Sequence, residues 1–112
     1  MRPIRLKRRA DFLAAAKGRR VKGRDFTVQI RQRADELGPR VGFTVTKKVG
    51  NAPERNRIKR RLRAVCAANC GAFAAGTDYV ILARRGVLSA PFQSLEAALW
   101  EATAGGRHNG LG

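Results

Sequence analysis

"RVGFTVTKKVGNAPERNRIKRRLR", residues 40–63, contains a strand, a helix start and a helix in one stretch. Over 40–48, Val41, Phe43 and Val45 alternate with Gly42, Thr44, Thr46 and Lys48, the two-residue period of a half-buried strand. "GNAPE" then starts a helix. Asn51 suits the N-cap, Pro53 the first turn, and Glu54, three residues after Asn51, completes a capping-box pair. From 54 to about 69 nothing breaks the helix, and Ile58, Leu62, Val65 and Cys66 follow the i, i+4, i+7, i+8 spacing of a buried stripe. At roughly 100° per residue, Arg55, Lys59 and Arg63 form one row with Asn56 and Arg60 beside it, an arc of roughly 140° pointing away from that stripe. Arg57 and Arg61 widen the arc on its other flank. Six of the nine residues 55–63 are cationic, and Ile58 and Leu62 among them anchor the array to a core. Like charges at i, i+4 cost a few tenths of a kcal/mol per pair, about 0.2–0.5, so such a row serves binding at the expense of the free protein.

Working outward, "DFTVQIRQR" (25–33) alternates in the same way, with Phe26, Val28 and Ile30 on one side and Thr27, Gln29 and Arg31 on the other. "ADELGP" supplies a turn, so 25–33 and 40–48 are expected to pair as an antiparallel hairpin whose second face is small, polar and basic. "RRADFLAAAKG" (8–18) reads as a short helix with Phe12, Ala15 and Ala16 on its stripe and Gly18 as a stop. On the C-terminal side "NCGAFAAGTD" is a loop, and "DYVILARR" (78–85) is apolar on both sides, as for a strand buried within a sheet. Strand, helix and strand in this order imply a βαβ unit with the basic helix as crossover. "APFQSLEAALWEA" (90–102) is a last helix, with Pro91 in its first turn and Phe92, Leu95, Leu99 and Ala102 facing the core. Residues 1–104 are expected to form one domain and 105–112, "GGRHNGLG", a flexible tail.

The chain has 112 residues, a formal charge of +16 and 24 Lys and Arg against 8 acids. Residues 1–63 hold 21 of those 24 cations and 5 of the 8 acids, so the whole excess lies in the first part. Such an excess opposes compaction unless a polyanion neutralises it, which points to nucleic acid. No apolar run approaches the roughly 20 residues of a membrane span, and the N-terminus lacks a signal-like apolar segment, so the expected setting is cytoplasmic with no membrane partner. Cys66 and Cys70, with the single His108, cannot assemble a four-ligand zinc set and read as small reduced residues at the core or its boundary. Apart from Asp35 and Glu36 the acids are scattered singly, Ser89 and Ser94 lack a histidine partner, and there is no Walker-type glycine loop. No catalytic residue is expected in this chain.

The segment 40–63 resembles the signature region of the protein subunit of bacterial ribonuclease P, most specifically in "RNRIKRRLR" and in "GFTVTKKVGNA" before it. The similarity extends more weakly from "LKRRADF" to "DYVILARRG". The resemblance implies an α/β (α+β) two-layer sandwich like domain 2 of ribosomal protein S5, with a mixed sheet of about four strands and a left-handed βαβ crossover, where general chirality favours a right-handed one. It also implies a catalytic RNA partner that, with Mg2+ bound mainly by that RNA, removes the 5′ leader of precursor tRNA. The protein would broaden substrate binding by contacting the leader, as a monomer or a weakly self-associating chain.

Carried over residue by residue, the catalytic RNA would be met by Lys47, Lys48, Asn51, Arg55, Asn56, Arg57, Lys59, Arg60 and Arg63, through charge-assisted bonds to phosphates or amide bonds to base and ribose. The leader would lie on Phe12, Gln29, Thr44, Thr46 and Lys48, an aromatic there contributing about 1–3 kcal/mol by stacking. Two positions depart from the family pattern: Ala16 stands where many members have a second phenylalanine, and Gln29 where some have an aromatic in the first long strand. Leader binding here then leans more on cations. Arg8, Arg9, Lys17, Arg19, Arg20, Lys22 and Arg24 form a second basic group, either a solvated face or specific contacts, and one of Arg57 and Arg61 is free to lie along the sheet instead of on RNA. The alternatives are a ribosomal-type structural RNA-binding protein and a nuclease that cuts without RNA; no helix-turn-helix spacing supports a DNA-binding regulator.

Overall fold

In the computed structural model, which describes residues 3–107, the chain forms in order β1 (Ile4–Arg5), α1 (Arg9–Ala16), β2 (Arg19–Lys22), β3 (Phe26–Gln32), β4 (Arg40–Thr44), α2 (Ala52–Ala68), β5 (Thr77–Ala83) and α3 (Phe92–Arg107). Short 3-10 turns occupy Lys47–Val49, Cys70–Ala72 and Arg85–Leu88. The strands make one mixed sheet in the order β1-β4-β5-β3-β2. β5, apolar on both faces, lies in its middle, parallel to β4 and antiparallel to β3. With β4 and β5 parallel neighbours, α2 is the crossover of a βαβ unit, as its sequence position implied.

The expected hairpin of 25–33 with 40–48 does not form, because β5 lies between them. Alternation specifies which side of a strand is apolar but not which strand is its neighbour, and the run that is apolar on both sides claims the central place. The hairpin partner of β3 is instead β2, antiparallel to it across Gly23–Asp25, with Arg20 opposite Gln29 and Lys22 opposite Thr27. Together with the two-residue edge strand β1 this makes five strands in a mixed sheet, in keeping with the about four expected.

Successive residues of each strand face opposite sides of the sheet. Phe26, Val28, Ile30, Val41, Tyr79 and Ile81 join Ile58, Leu62, Val65 and Cys66 of α2 and Leu95, Leu99 and Ala102 of α3 in the main core. Ile58 and Leu62 are 0 % and 1 % exposed, and burying each side chain stabilises the helix on the sheet by about 1.5–3 kcal/mol. On the opposite face Leu6, Ala15 and Val80 form a smaller cluster against which Phe12 and Leu82 pack. Two stripe positions depart from expectation: Ala16 is exposed, and Phe92 is exposed at the start of α3. Thr103, further along α3 and past the expected helix end, is buried, its hydroxyl donating to Leu99 O at 3.0 Å. α3 also runs on to Arg107, so residues 105–107 are helical where a tail was expected; the rest of that tail, with His108, lies outside the described residues.

Arginine organises the loops. Asp78, 0 % exposed at the start of β5, accepts two 2.7 Å bonds from Arg40, through Nε and Nη2, and a further bond from Arg33. Burial alone would raise the Asp78 carboxyl, but the Arg40 and Arg33 hydrogen bonds outweigh it and hold it below its ordinary value. Arg33 also donates to Leu37 O and Gly38 O, closing the loop between β3 and β4. That loop packs on Gly76, whose φ of 68° favours glycine and where a Cβ would meet Asp35 O at 2.5 Å.

Candidate nucleic-acid interface

α2 starts with the capping box read from the sequence: Asn51 Oδ1 accepts from Glu54 N and Glu54 Oε1 accepts from Asn51 N, both at 2.9 Å. The Glu54 carboxylate also accepts from Arg85 Nη2 at 2.6 Å, while Arg85 Nη1 reaches Val49 O at 3.0 Å. The Arg85 hydrogen bond first, and the Asn51 N–H after it, hold the Glu54 carboxyl down at about 2. The one acid in the basic stretch is thereby consumed in fixing the helix start to the turns at 47–49 and 85–88.

Beyond the cap, Asn56, Arg57, Arg60 and Arg63 are exposed and Lys59 is half-buried; with Pro53 they line one shallow depression. Lys47, Lys48 and Asn51 are exposed just before it. Arg55 is half-buried and donates through Nη1 to Gly50 O at 2.8 Å, so it braces the loop that carries the two lysines. The flanking pair divides: Arg61 donates to Val87 O at 2.7 Å and Leu88 O at 3.1 Å and belongs to the fold, while Arg57 stays on the open face. An array of guanidinium groups around one uncharged amide, Asn56, suits a folded polyanion, with cations on phosphates and the amide free for a base edge or ribose.

The second candidate surface lies on the α1 side of the sheet. Gln29, Val80 and Gly42 align across β3, β5 and β4, and Thr27, Leu82 and Thr44 form the next row. Phe12, half-buried, lies over Gly42 so closely that a Cβ there would fall 2.6 Å from its Cζ; glycine is what lets the ring rest on the strand. Thr44 is half-buried, and Thr46 and Lys48 are exposed beyond it. Gln29 is only 6 % exposed. As a surface contact it is a correction, since α1 covers a part of this face that alternation alone left open.

The pairing of β2 adds cations that the sequence reading had left as an undivided basic group or overlooked. Arg20 and Lys22 point to this same face, and with Thr27, Leu82 and Arg84 they line a groove that continues the Thr44 row. Arg84 is placed by bonds to Gly23 O and Thr27 Oγ1, both 2.7 Å. The i, i+2 spacing of Arg20 and Lys22 was the available signal, obscured by the basic residues on either side. Arg8, Arg9, Lys17, Arg19 and Arg24 are exposed.

Comparison with known proteins agrees with this geometry. The family model for Ribonuclease P matches residues 1–105. Ribonuclease P protein components from Brucella suis and Bartonella quintana are 45% and 47% identical over 105 and 104 residues, covering 86% and 87% of this chain and 74% and 78% of theirs. The RNase P protein of Staphylococcus aureus superposes with a TM-score of 0.75 at 29% identity, covering 90% of this chain and 93% of that one. That of Thermotoga maritima gives 0.73 at 27%, covering 87% and 92%. A family match over nearly the whole length, relatives near half identity and the same fold establish that this chain belongs to the ribonuclease P protein family.

Proposed function

We propose that the chain is the RNA-binding subunit of a ribonuclease P holoenzyme, in which a catalytic RNA removes the 5′ leader of precursor tRNA by endonucleolytic cleavage in the cytoplasm. The observation that carries this reading is the common depression lined by Asn56, Arg57, Lys59, Arg60 and Arg63, open to solvent while Ile58 and Leu62 fix its helix from beneath. In this reading Lys47, Lys48, Asn51 and Arg55 extend that surface towards the catalytic RNA. Phe12, Thr44, Thr46 and Lys48 receive the single-stranded leader, with the buried Gln29 on the same face packed in the row beside them. The chain adds affinity for substrates that carry a leader and supplies positive charge where RNA strands approach each other.

Magnesium belongs to the RNA in this scheme. Asp11, Asp35, Asp78 and Glu54 all face arginines, and among the described residues no group of three or more His, Cys, Asp or Glu could hold a metal ion. These residues do not fit a protein-held magnesium site. No described helix is long and apolar enough to cross a membrane.

The test is cleavage of a precursor tRNA by the chain with and without a ribonuclease P RNA. Cleavage that needs the RNA and gains from the protein supports the reading, inertness with RNA present favours a structural RNA-binding role, and cutting without RNA means a protein nuclease. Binding to the catalytic RNA should also weaken with salt, at a log–log slope of about −4 to −6 for roughly 5–7 neutralised phosphates. A slope near about −1 would mean that the array is mostly solvated.

A further inference from the structure

α1 has few means of its own to stay in place. It has eight residues, its N-cap residue Arg8 makes no side-chain capping bond, only Ala15 is buried, and Leu13 is 53 % exposed. A helix this short is marginal in isolation. Beside the packing of Ala15 and Phe12 on the sheet, it is tied down by Asp11 in its first turn. Asp11 Oδ2 accepts from Arg40 Nη1 at 3.3 Å, and Oδ1 lies 3.7 Å from Arg31 Nη1. Both arginines are anchored in turn on the buried Asp78, Arg40 by its two 2.7 Å bonds and Arg31 at 3.6 Å.

Arg31, Asp78 and Arg40 align across β3, β5 and β4, and the next row on that face is Gln29, Val80 and Gly42, where Phe12 rests. The residue that anchors α1 and the residue that would meet RNA are therefore consecutive in the chain and one row apart on the sheet. A free carboxylate here would repel phosphates; Asp11 instead spends its charge on two guanidinium groups already fixed to the sheet.

We propose that Asp11 is a positioning residue for leader recognition: through Arg40 and Arg31 it seats α1 on the sheet and sets the pose in which Phe12 meets a single-stranded 5′ leader. The inference rests on the leader reading above and deepens it. Asp11 touches no RNA itself; its contribution is preorganisation, sparing the complex the cost of ordering α1 on binding.

The experiment uses the holoenzyme reconstituted with its catalytic RNA and measures affinity for precursor tRNA bearing a leader and for mature tRNA. The variants are Asp11→Asn, Asp11→Glu, Phe12→Ala and the Asp11→Asn/Phe12→Ala double variant. Asp11→Asn is expected to lower the precursor-to-mature affinity ratio roughly fivefold, with affinities for mature tRNA and catalytic RNA unchanged. Asp11→Glu should recover most of the ratio, and the double variant should be no worse than Phe12→Ala alone, since both act through one ring. If Phe12→Ala lowers the ratio and Asp11→Asn does not, the positioning role is overturned and the leader reading stands. If neither lowers it, the leader reading falls and the inference with it. Equal loss for precursor and mature tRNA in Asp11→Asn would mark a merely structural role and also overturn the proposal.

Discussion

At the Asp78 end of the sheet, Arg33 and Arg40 converge on a carboxylate that has no exposure to solvent, whereas on α2 the exposed Arg57, Arg60 and Arg63 form no salt bridge with any described residue. The side chain is the same and its surroundings are opposite. Where a carboxylate is present and water is scarce, the guanidinium belongs to the fold; where neither holds, its charge remains for a partner. Arg61 and Arg84 stand between the two cases, since backbone carbonyls of the 85–88 turn and of the β2–β3 turn hold them in place. A basic protein of this size thus divides its arginines between scaffold and ligand surface, and the division follows from what each one touches.

The sharpest way to break that contrast is to remove the acid at one end and a cation at the other. Asp78→Ala leaves Arg33 and Arg40 without their buried partner and should destabilise the fold by about 3 kcal/mol, the low end for a broken buried pair, because Arg31 and Arg40 keep some access to water. Arg60→Ala should change stability by less than about 0.5 kcal/mol while reducing the salt slope of RNA binding by about 1. Urea unfolding and a salt titration of binding measure the two, and similar stability losses in both variants would erase the distinction.

A smaller effect appears in acid. The Asp78 and Glu54 carboxyls are held low in the folded chain, Glu54 at about 2. A group whose pKa is depressed by folding contributes stability above its unfolded value, about 4 for a carboxyl, and that contribution is lost as pH falls through the folded value. Helical ellipticity should therefore decline from about pH 4 downward. Arg85→Ala should move the onset at the start of α2 to higher pH by removing the bond that holds Glu54 down. An unshifted acid profile in that variant would mean that the Arg85–Glu54 pair contributes nothing in solution.

The mildest test concerns the thiols near the C-terminal end of α2. Burial first, and Cys70 nearby, push the Cys66 thiol up to about 12, while Cys70 is half-buried with Sγ 3.3 Å from Ala67 O. Alkylation of the native chain should mark Cys70 well before Cys66. Equal rates would show that the C-terminal half of α2 opens readily, and with it the support beneath the cationic array.

The parts that were legible in the sequence are those set by neighbours along the chain. The capping box of Asn51 and Glu54, the Ile58, Leu62, Val65 and Cys66 stripe, the alternation of β3 and β4 and the double-sided apolar character of β5 depend on spacings of two to eight residues, which side-chain type reports directly. Strand order was not legible: an alternating segment fits any neighbour that offers an apolar row, and only the competition for the middle of the sheet placed β5 between β3 and β4. Nor was the covering of Gln29, which depends on where α1 docks. Nor was the sorting of arginines, because the partners of Arg33, Arg40 and Arg61 lie 45, 38 and 26 residues away. Composition and local pattern therefore determined that this chain presents cations on a well-anchored helix. Which arginines serve the fold was decided by tertiary structure alone, since folding brings carboxylates or carbonyls to Arg33, Arg40 and Arg61 and brings no carboxylate among the described residues to Arg57, Arg60 and Arg63.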